Sequence, residues 1–264
     1  MLPGVLAGVL AAGAAGEAAH AIEPDLAPGA VVRIESVVDG DTVVLAKPAG
    51  RSREIRLAGI RAPKPPPGRP HVRKWPLADR ARAALEELAL GRELMLAFGG
   101  ERLDRHGRLL AHLYTPNDFW IQGELLRRGL ARVHTLPDNR AAVPAMLALE
   151  REARATRRGI WRHRFYQVRR AEDAGRHMGS FQIVEGRIVA AAIIRSRAYL
   201  NFSPDWRTDF TISIAPKWMR LFKSSGIDVT SLSGKTIRVR GWLKSFNGPM
   251  IEVTHPEQIE IVGE

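Results

Sequence analysis

The chain of 264 residues contains no cysteine. That absence removes disulfide frameworks, thiol nucleophiles and zinc–thiolate centres from consideration. Acids are also scarce: 28 Asp and Glu face 40 Lys and Arg, for a net charge of +12 and a pI near 10.9. The deficit is uneven, with 29 bases against 19 acids in residues 22–178 and 11 against 8 in residues 179–264. Such a field attracts polyanions, nucleic acid foremost, although charge alone also fits an anionic membrane surface or mere solubility. The eight histidines show no metal-ligand spacing, and no internal repeat is apparent. Long apolar runs are missing outside the first 21 residues. With 45% apolar residues the chain nevertheless has ample material for a core, enough for one large domain or two ordinary ones.

Residues 1–21, "MLPGVLAGVLAAGAAGEAAHA", hold no Lys or Arg and end in an Ala-His-Ala triplet. The pattern resembles a signal peptide and implies an exported, periplasmic or secreted protein. Its missing basic start leaves a disordered or loosely anchored tail as the alternative. The run is too short and Gly-rich for a membrane span of about 20 residues, so no integral span is expected.

From Ala30 three short strands are predicted, "VVRIESVV", "TVVLA" and "SREIRLAGI", joined by Asp-Gly and Pro-Ala-Gly turn chemistry. "APKPPPGRP" is a basic surface loop, since consecutive prolines suit neither helix nor strand interior. "PLADRARAALEELALG" carries Leu77, Ala81, Ala84, Leu85 and Leu88 at helical spacing and stops at Gly91. Strands "ELMLAF" and "RLLAHLY" follow. Helices are expected over 121–128 and 140–158, the second with Pro144 in its first turn and Gly159 after its end. Residues 162–178 read as a linker or a poorly packed helix. The remainder, 179–264, shows five strands with a short helix between the third and fourth, the order of a small OB-like β-barrel.

Five motifs in the first part, "VVDGDTVVL", "IRLAGIRAP", "DRHGRLLAHL", "GELLRRGLARV" and "GIW", occur in the order and spacing of the staphylococcal nuclease (thermonuclease) family, which residues 31–161 resemble along their length. The resemblance implies a mainly β fold with helices: an OB-type five-stranded barrel carrying three helices. It also implies, in active members, calcium-dependent hydrolysis of DNA and RNA phosphodiesters. Such hydrolysis needs carboxylates for the metal, cations for the phosphate and a group that positions water. Residue by residue, Asp41 stands at the first metal ligand, with Asp39 beside it, and Arg56 and Arg108 stand at the two phosphate-clamping arginines.

Three positions depart from the family pattern. Its second ligand Asp is Arg61 here, its Thr is Ala62, and its Glu after the Pro is Lys64. Calcium takes six to eight oxygens, and a positive charge about 4 Å from a divalent ion costs roughly 8 kcal/mol at an effective dielectric near 20. Calcium, implied by the resemblance, is thereby put in doubt, and Arg61 and Lys64 become candidates for holding substrate phosphate. Glu54, Asp39 and Asp118 are the acids whose direction would decide whether a metal set survives. Asp104 is expected to cap its own turn, and His106 to be solvated.

In "TIRVRGWLKS" of the second part, Ile237, Val239 and Leu243 alternate with Arg238, Arg240, Trp242 and Lys244. The basic, aromatic face would suit phosphate and base binding through Arg238, Arg240 and Trp242, or be an ordinary solvated surface. Tyr199, Phe202, Trp206 and Trp218 are expected to fill or cap that barrel. The sequence thus favours a binder of nucleic acid or another phosphate polyanion with weak or absent hydrolysis. A nuclease with a rearranged site and a non-catalytic envelope adaptor are the alternatives.

Overall fold

The computed structural model describes residues 22–65, 74–205 and 209–262. The leader reading at 1–21, most of the Pro-rich loop and Trp206 lie outside the described residues. The first unit consists of β1 (Ala27–Asp39), β2 (Thr42–Ala49), β3 (Ser52–Leu57), β4 (Ile60–Arg61), α1 (Ala78–Ala89), β5 (Glu93–Phe98), β6 (Leu109–Tyr114), α2 (Ile121–Arg127), β7 (Arg132–Val133) and α3 (Val143–Ala155). β1, β2, β3, β6 and β5 close into a barrel in that order, with β3 and β6 parallel and the other pairs antiparallel. Ile34, Val43, Leu45, Ile55, Leu57, Leu94, Leu96 and Leu113 fill it. The helical stripe predicted on α1 buries Ala81, Ala84, Leu85 and Leu88 against this core.

The meander and the three helices fall where turn chemistry and periodicity put them. A small antiparallel pair, β4 with β7, was not foreseen; it aligns Arg61 with Arg132. Two-residue strands leave no periodic signal, because their pairing is fixed by the loops that carry them.

The second unit holds β8 (Arg169–Arg170), β9 (Phe181–Arg187), β10 (Ala190–Ile194), β11 (Arg197–Asn201), β12 (Thr211–Ile214), α4 (Pro216–Ser224), β13 (Thr236–Phe246), β14 (Gly248–Val253) and β15 (Ile259–Ile261). They form one eight-stranded sheet. Its pairings β10–β11, β11–β12, β12–β14 (parallel), β14–β13 and β13–β9 repeat those of the first barrel one for one. β9 and β10, separated only by Ile188 and Val189, take the place of β1. Phe202 and Trp218 pack against its core, as expected, and Tyr199 is half-buried.

The stretch 162–178, expected to be a linker or a poorly packed helix, contains short turns. Short 3-10 turns at Gly159–Arg162, Arg164–Tyr166 and Ala171–His177 wrap the junction. Tyr166 is 2% exposed and its hydroxyl donates to the Pro76 carbonyl at 2.8 Å. Trp161, Tyr166 and Ile183 form a separate apolar cluster joined by Trp75 and Leu77. High charge concealed this packing, because the arginines lie along the outside while alternate apolar residues turn inward. Among the described residues, no helix is long and apolar enough to cross a membrane.

Candidate phosphate site at the junction of the two units

The site begins at the β1–β2 turn. Gly40 and Asp41 form a two-residue loop between the paired residues Asp39 and Thr42, and Asp39 Oδ1 accepts the Asp41 N–H at 3.0 Å, an Asx turn. Gly40 is required by close approach: a Cβ there would lie 2.7 Å from the Ala81 Cβ on α1 and 2.8 Å from that of Ala62. The turn therefore presses Asp41 into the protein, where it is fully buried.

Every oxygen of Asp41 is engaged. Oδ2 accepts the Ala62 N–H at 2.7 Å, while Oδ1 faces Arg56 Nη1 at 3.0 Å and the Lys64 ammonium. Burial alone would raise its pKa, but Arg56, Lys64 and the Ala62 amide together hold it far below the usual carboxylate range. Lys64 reaches further, to Asp39 Oδ2 at 2.8 Å. One ammonium thus bridges both carboxylates.

Arg56 extends from β3 and is pinned by backbone: Nη1 donates to the carbonyls of Asp41 (3.2 Å) and Leu57 (3.0 Å), and Nη2 to that of Ile60 (2.8 Å). Its side chain is 13% exposed, and among the described residues its Nε–H and one Nη2–H remain without a partner. Arg108, just before β6, is held differently. Asp104 accepts from its Nε at 2.8 Å and Nη2 at 2.7 Å, and also caps the turn through the His106 and Arg108 amides. Burial works against the Asp104 charge, and Arg108 with the two amides overcomes it. This is the capping role expected for Asp104. Among the described residues no partner meets the Nη1 edge of Arg108.

Arg61, which the family resemblance sets at the second metal-ligand position beside Asp41, turns to aromatic rings instead. Its guanidinium carbon lies over two indole rings, 5.3 Å from the centre of Trp75 and 5.0 Å from that of Trp242 on β13. Burial lowers its pKa and neighbouring Arg56 adds to the effect, against the pull of Asp41 and Asp39. Among the described residues its buried Nε has no hydrogen-bond partner. Arg132, its partner across the β4–β7 pair, is buried against Tyr166 and Phe181 at 5.2 and 5.0 Å, and burial pushes its pKa down to about 10.

The second unit's candidates part company. Arg240, read as a substrate contact, is 2% exposed and joins the two units: it donates to Glu150 of α3 at 2.9 and 3.1 Å and to Glu260. Strand alternation made it look solvated, but the face it occupies is covered by the first unit. Arg238 pairs with Glu185 across β9, and Lys244 with Glu252. Trp242, at 42% exposed, keeps an open face where it meets Arg61. Arg140–Glu257, Arg154–Glu260 and the hydrogen bond between Thr135 and His255 complete the junction. None of these partners is near the other in sequence, so local pattern carried no signal for them.

Calcium can be tested against this donor set. All four oxygens of Asp39 and Asp41 already accept from amides or cations. Among the described residues, no three His, Asp or Glu side chains come together, so Glu54 and Asp118 do not complete a set. Calcium needs six to eight oxygens, and the residues present do not fit it while Lys64 bridges the pair.

Residues 54–163 match the family described as staphylococcal nuclease homologue. The protein is also 30% identical over 141 residues to Protein ParB of Escherichia coli, covering 50% of this chain and 71% of that one. The chain belongs to the staphylococcal nuclease family. This staphylococcal nuclease homologue is further similar to Endonuclease YncB of Bacillus subtilis (strain 168), at 29% over 141 residues covering 53% of this chain and 65% of the relative. The SPbeta prophage-derived endonuclease YokF of the same organism matches at 31% over 132 residues, 49% of this chain and 43% of the relative. The chain thus spans less than two thirds of either Bacillus relative, and the family match ends at residue 163, before β8.

Proposed function

We propose that this family member binds nucleic acid or a similar phosphate polyanion at the Asp41 site and hydrolyses phosphodiesters weakly or not at all. The observation that carries the reading is the Lys64 ammonium lodged between Asp39 and Asp41. It neutralises the carboxylates that would gather a divalent ion, and it leaves neither of them free to take a proton from water. Counting Asp39, Asp41, Arg56, Arg61 and Lys64, the cluster carries a net +1. Phosphate is held by the free edge of Arg108, the remaining N–H groups of Arg56 and the third ammonium N–H of Lys64, within the field of a +12 chain. The second sheet, by its strand order, serves as an OB-type module docked against the site.

A second reading, an endonuclease with a rearranged metal site, is favoured by relatives that are named endonucleases. It requires Lys64 to leave the carboxylate pair. One experiment separates the two: labelled DNA is incubated with calcium, magnesium, manganese or chelator, beside Asp41→Ala and Arg108→Ala. We expect salt-dependent binding and no metal-stimulated cleavage. Metal-dependent cleavage abolished by both substitutions would establish the second reading instead. Export through residues 1–21 belongs to the same proposal, and fusing them to a reporter active only outside the cytoplasm tests it.

A further inference from the structure

Beside the phosphate-holding residues lies an aromatic surface that the first unit does not build alone. Along β13, Arg240, Trp242 and Lys244 share one face, which runs from the covered junction at Arg240 to solvent at Lys244. Trp242 stands between the two, 42% exposed. Its indole packs against the Arg61 guanidinium at 5.0 Å, and Arg61 packs in turn against Trp75 at 5.3 Å. Arg61 precedes Ala62, whose amide binds Asp41, and lies three residues before Lys64. The ring is therefore fixed next to the phosphate site by the same short segment that builds it. A Trp at 42% exposure held in this way pays little ordering entropy on receiving a flat ligand.

We propose that Trp242 is a stacking platform for an unpaired nucleobase, and that the ligand of this site is single-stranded nucleic acid running from Arg56, Lys64 and Arg108 onto the second unit. The inference rests on the reading of the Asp41 site as a phosphate site. Unpaired bases offer their π faces to such a ring, whereas duplex buries them in its own stack and inorganic polyphosphate has none. Arg61 is a positioning residue that sets the indole's angle through its cation–π contact.

The test measures binding of fluorescently labelled dT12 by anisotropy, with a dT12·dA12 duplex and inorganic polyphosphate as competitors. The proteins compared are wild type, Trp242→Ala, Trp242→Leu, Trp242→Phe and Arg108→Ala, all as the full chain. Trp242→Leu retains apolar bulk against Arg61 and serves if the Ala variant does not fold. We expect Trp242→Ala and Trp242→Leu to weaken dT12 binding about tenfold or more, with polyphosphate affinity changed less than twofold. Trp242→Phe should recover most of the loss, and Arg108→Ala should weaken both ligands. If Trp242→Leu binds dT12 within twofold of wild type, or loses dT12 and polyphosphate equally, the platform is refuted while the phosphate site stands. If wild type binds neither ligand, the phosphate reading fails and the platform with it.

Discussion

If the Lys64 ammonium stands where a divalent ion would otherwise be gathered, removing it should both destabilise the protein and make it responsive to calcium. Lys64→Met deletes a charge lying 2.8 Å from Asp39 Oδ2 and in contact with Asp41 Oδ1. At an effective dielectric near 20 the Asp39 contact alone is worth about 6 kcal/mol gross. Dehydration of the three groups and the 23% exposure of Lys64 offset much of it. Asp41 keeps Arg56 and the Ala62 amide, so a net loss of about 2–3 kcal/mol is expected, or roughly 5–10 °C in Tm for a chain of this size. Calcium at ten times its dissociation constant would return about 1.4 kcal/mol to the variant. Thermal unfolding of both proteins at pH 7, with and without 10 mM calcium, reads both effects. A variant as stable as wild type would refute the reasoning. So would a wild type that calcium stabilises as strongly as the variant.

Three further outcomes follow from the geometry. Arg240→Ala removes the more buried of the two arginines shared by Glu150 and Glu260, leaving Arg154 at 3.3 Å from each, and should cost about 2–4 kcal/mol by urea unfolding; the double variant Glu150→Gln/Arg240→Met should recover more than half of that. His112, whose Nδ1 accepts the Trp120 indole N–H at 3.3 Å, and His255, placed between Thr135 and Thr254, are buried and their pKa values are pushed down to about 4, chiefly by desolvation. His134, whose pKa burial pushes down to about 3, behaves alike; because the native state resists three protonations that the unfolded chain accepts below about pH 6.5, stability should fall as pH drops from 6.5 towards 4, by about 4 kcal/mol per pH unit within that window. Urea midpoints at half-unit steps measure the slope, and His255→Gln should lower it by about a third. Gly40→Ala drives a methyl group into Ala81 and Ala62 and should cost about 1–3 kcal/mol, visible as a lowered denaturation midpoint with weakened polyanion binding.

Much of the architecture was legible because it is written in short-range chemistry. Asp-Gly and Gly stops placed the β1–β2 turn and the ends of α1 and α2, and the apolar spacing of Ala81, Leu85 and Leu88 named the buried face of its helix. Asp41, Arg56 and Arg108 were legible as a group only through the family resemblance, and the register that sets Thr42 opposite Arg56 came with the fold. The direction of each side chain was not legible. Lys64 and Arg61 sit three residues apart with the same charge, yet one enters the carboxylate pair and the other leaves for two indoles.

The sequence by itself therefore determined the elements, the barrel, the excess of positive charge and the replacement of acids by bases at the Asp41 site. Only the tertiary structure decided which base meets those carboxylates, that Arg240 is an internal tie between the units, and that Trp242 from residue 242 stands beside Arg61. Local elements follow from spacing along the chain, whereas burial and ion pairing depend on which surfaces meet. Here those surfaces come from segments 90 to 181 residues apart, such as Glu150 with Arg240 and Arg61 with Trp242.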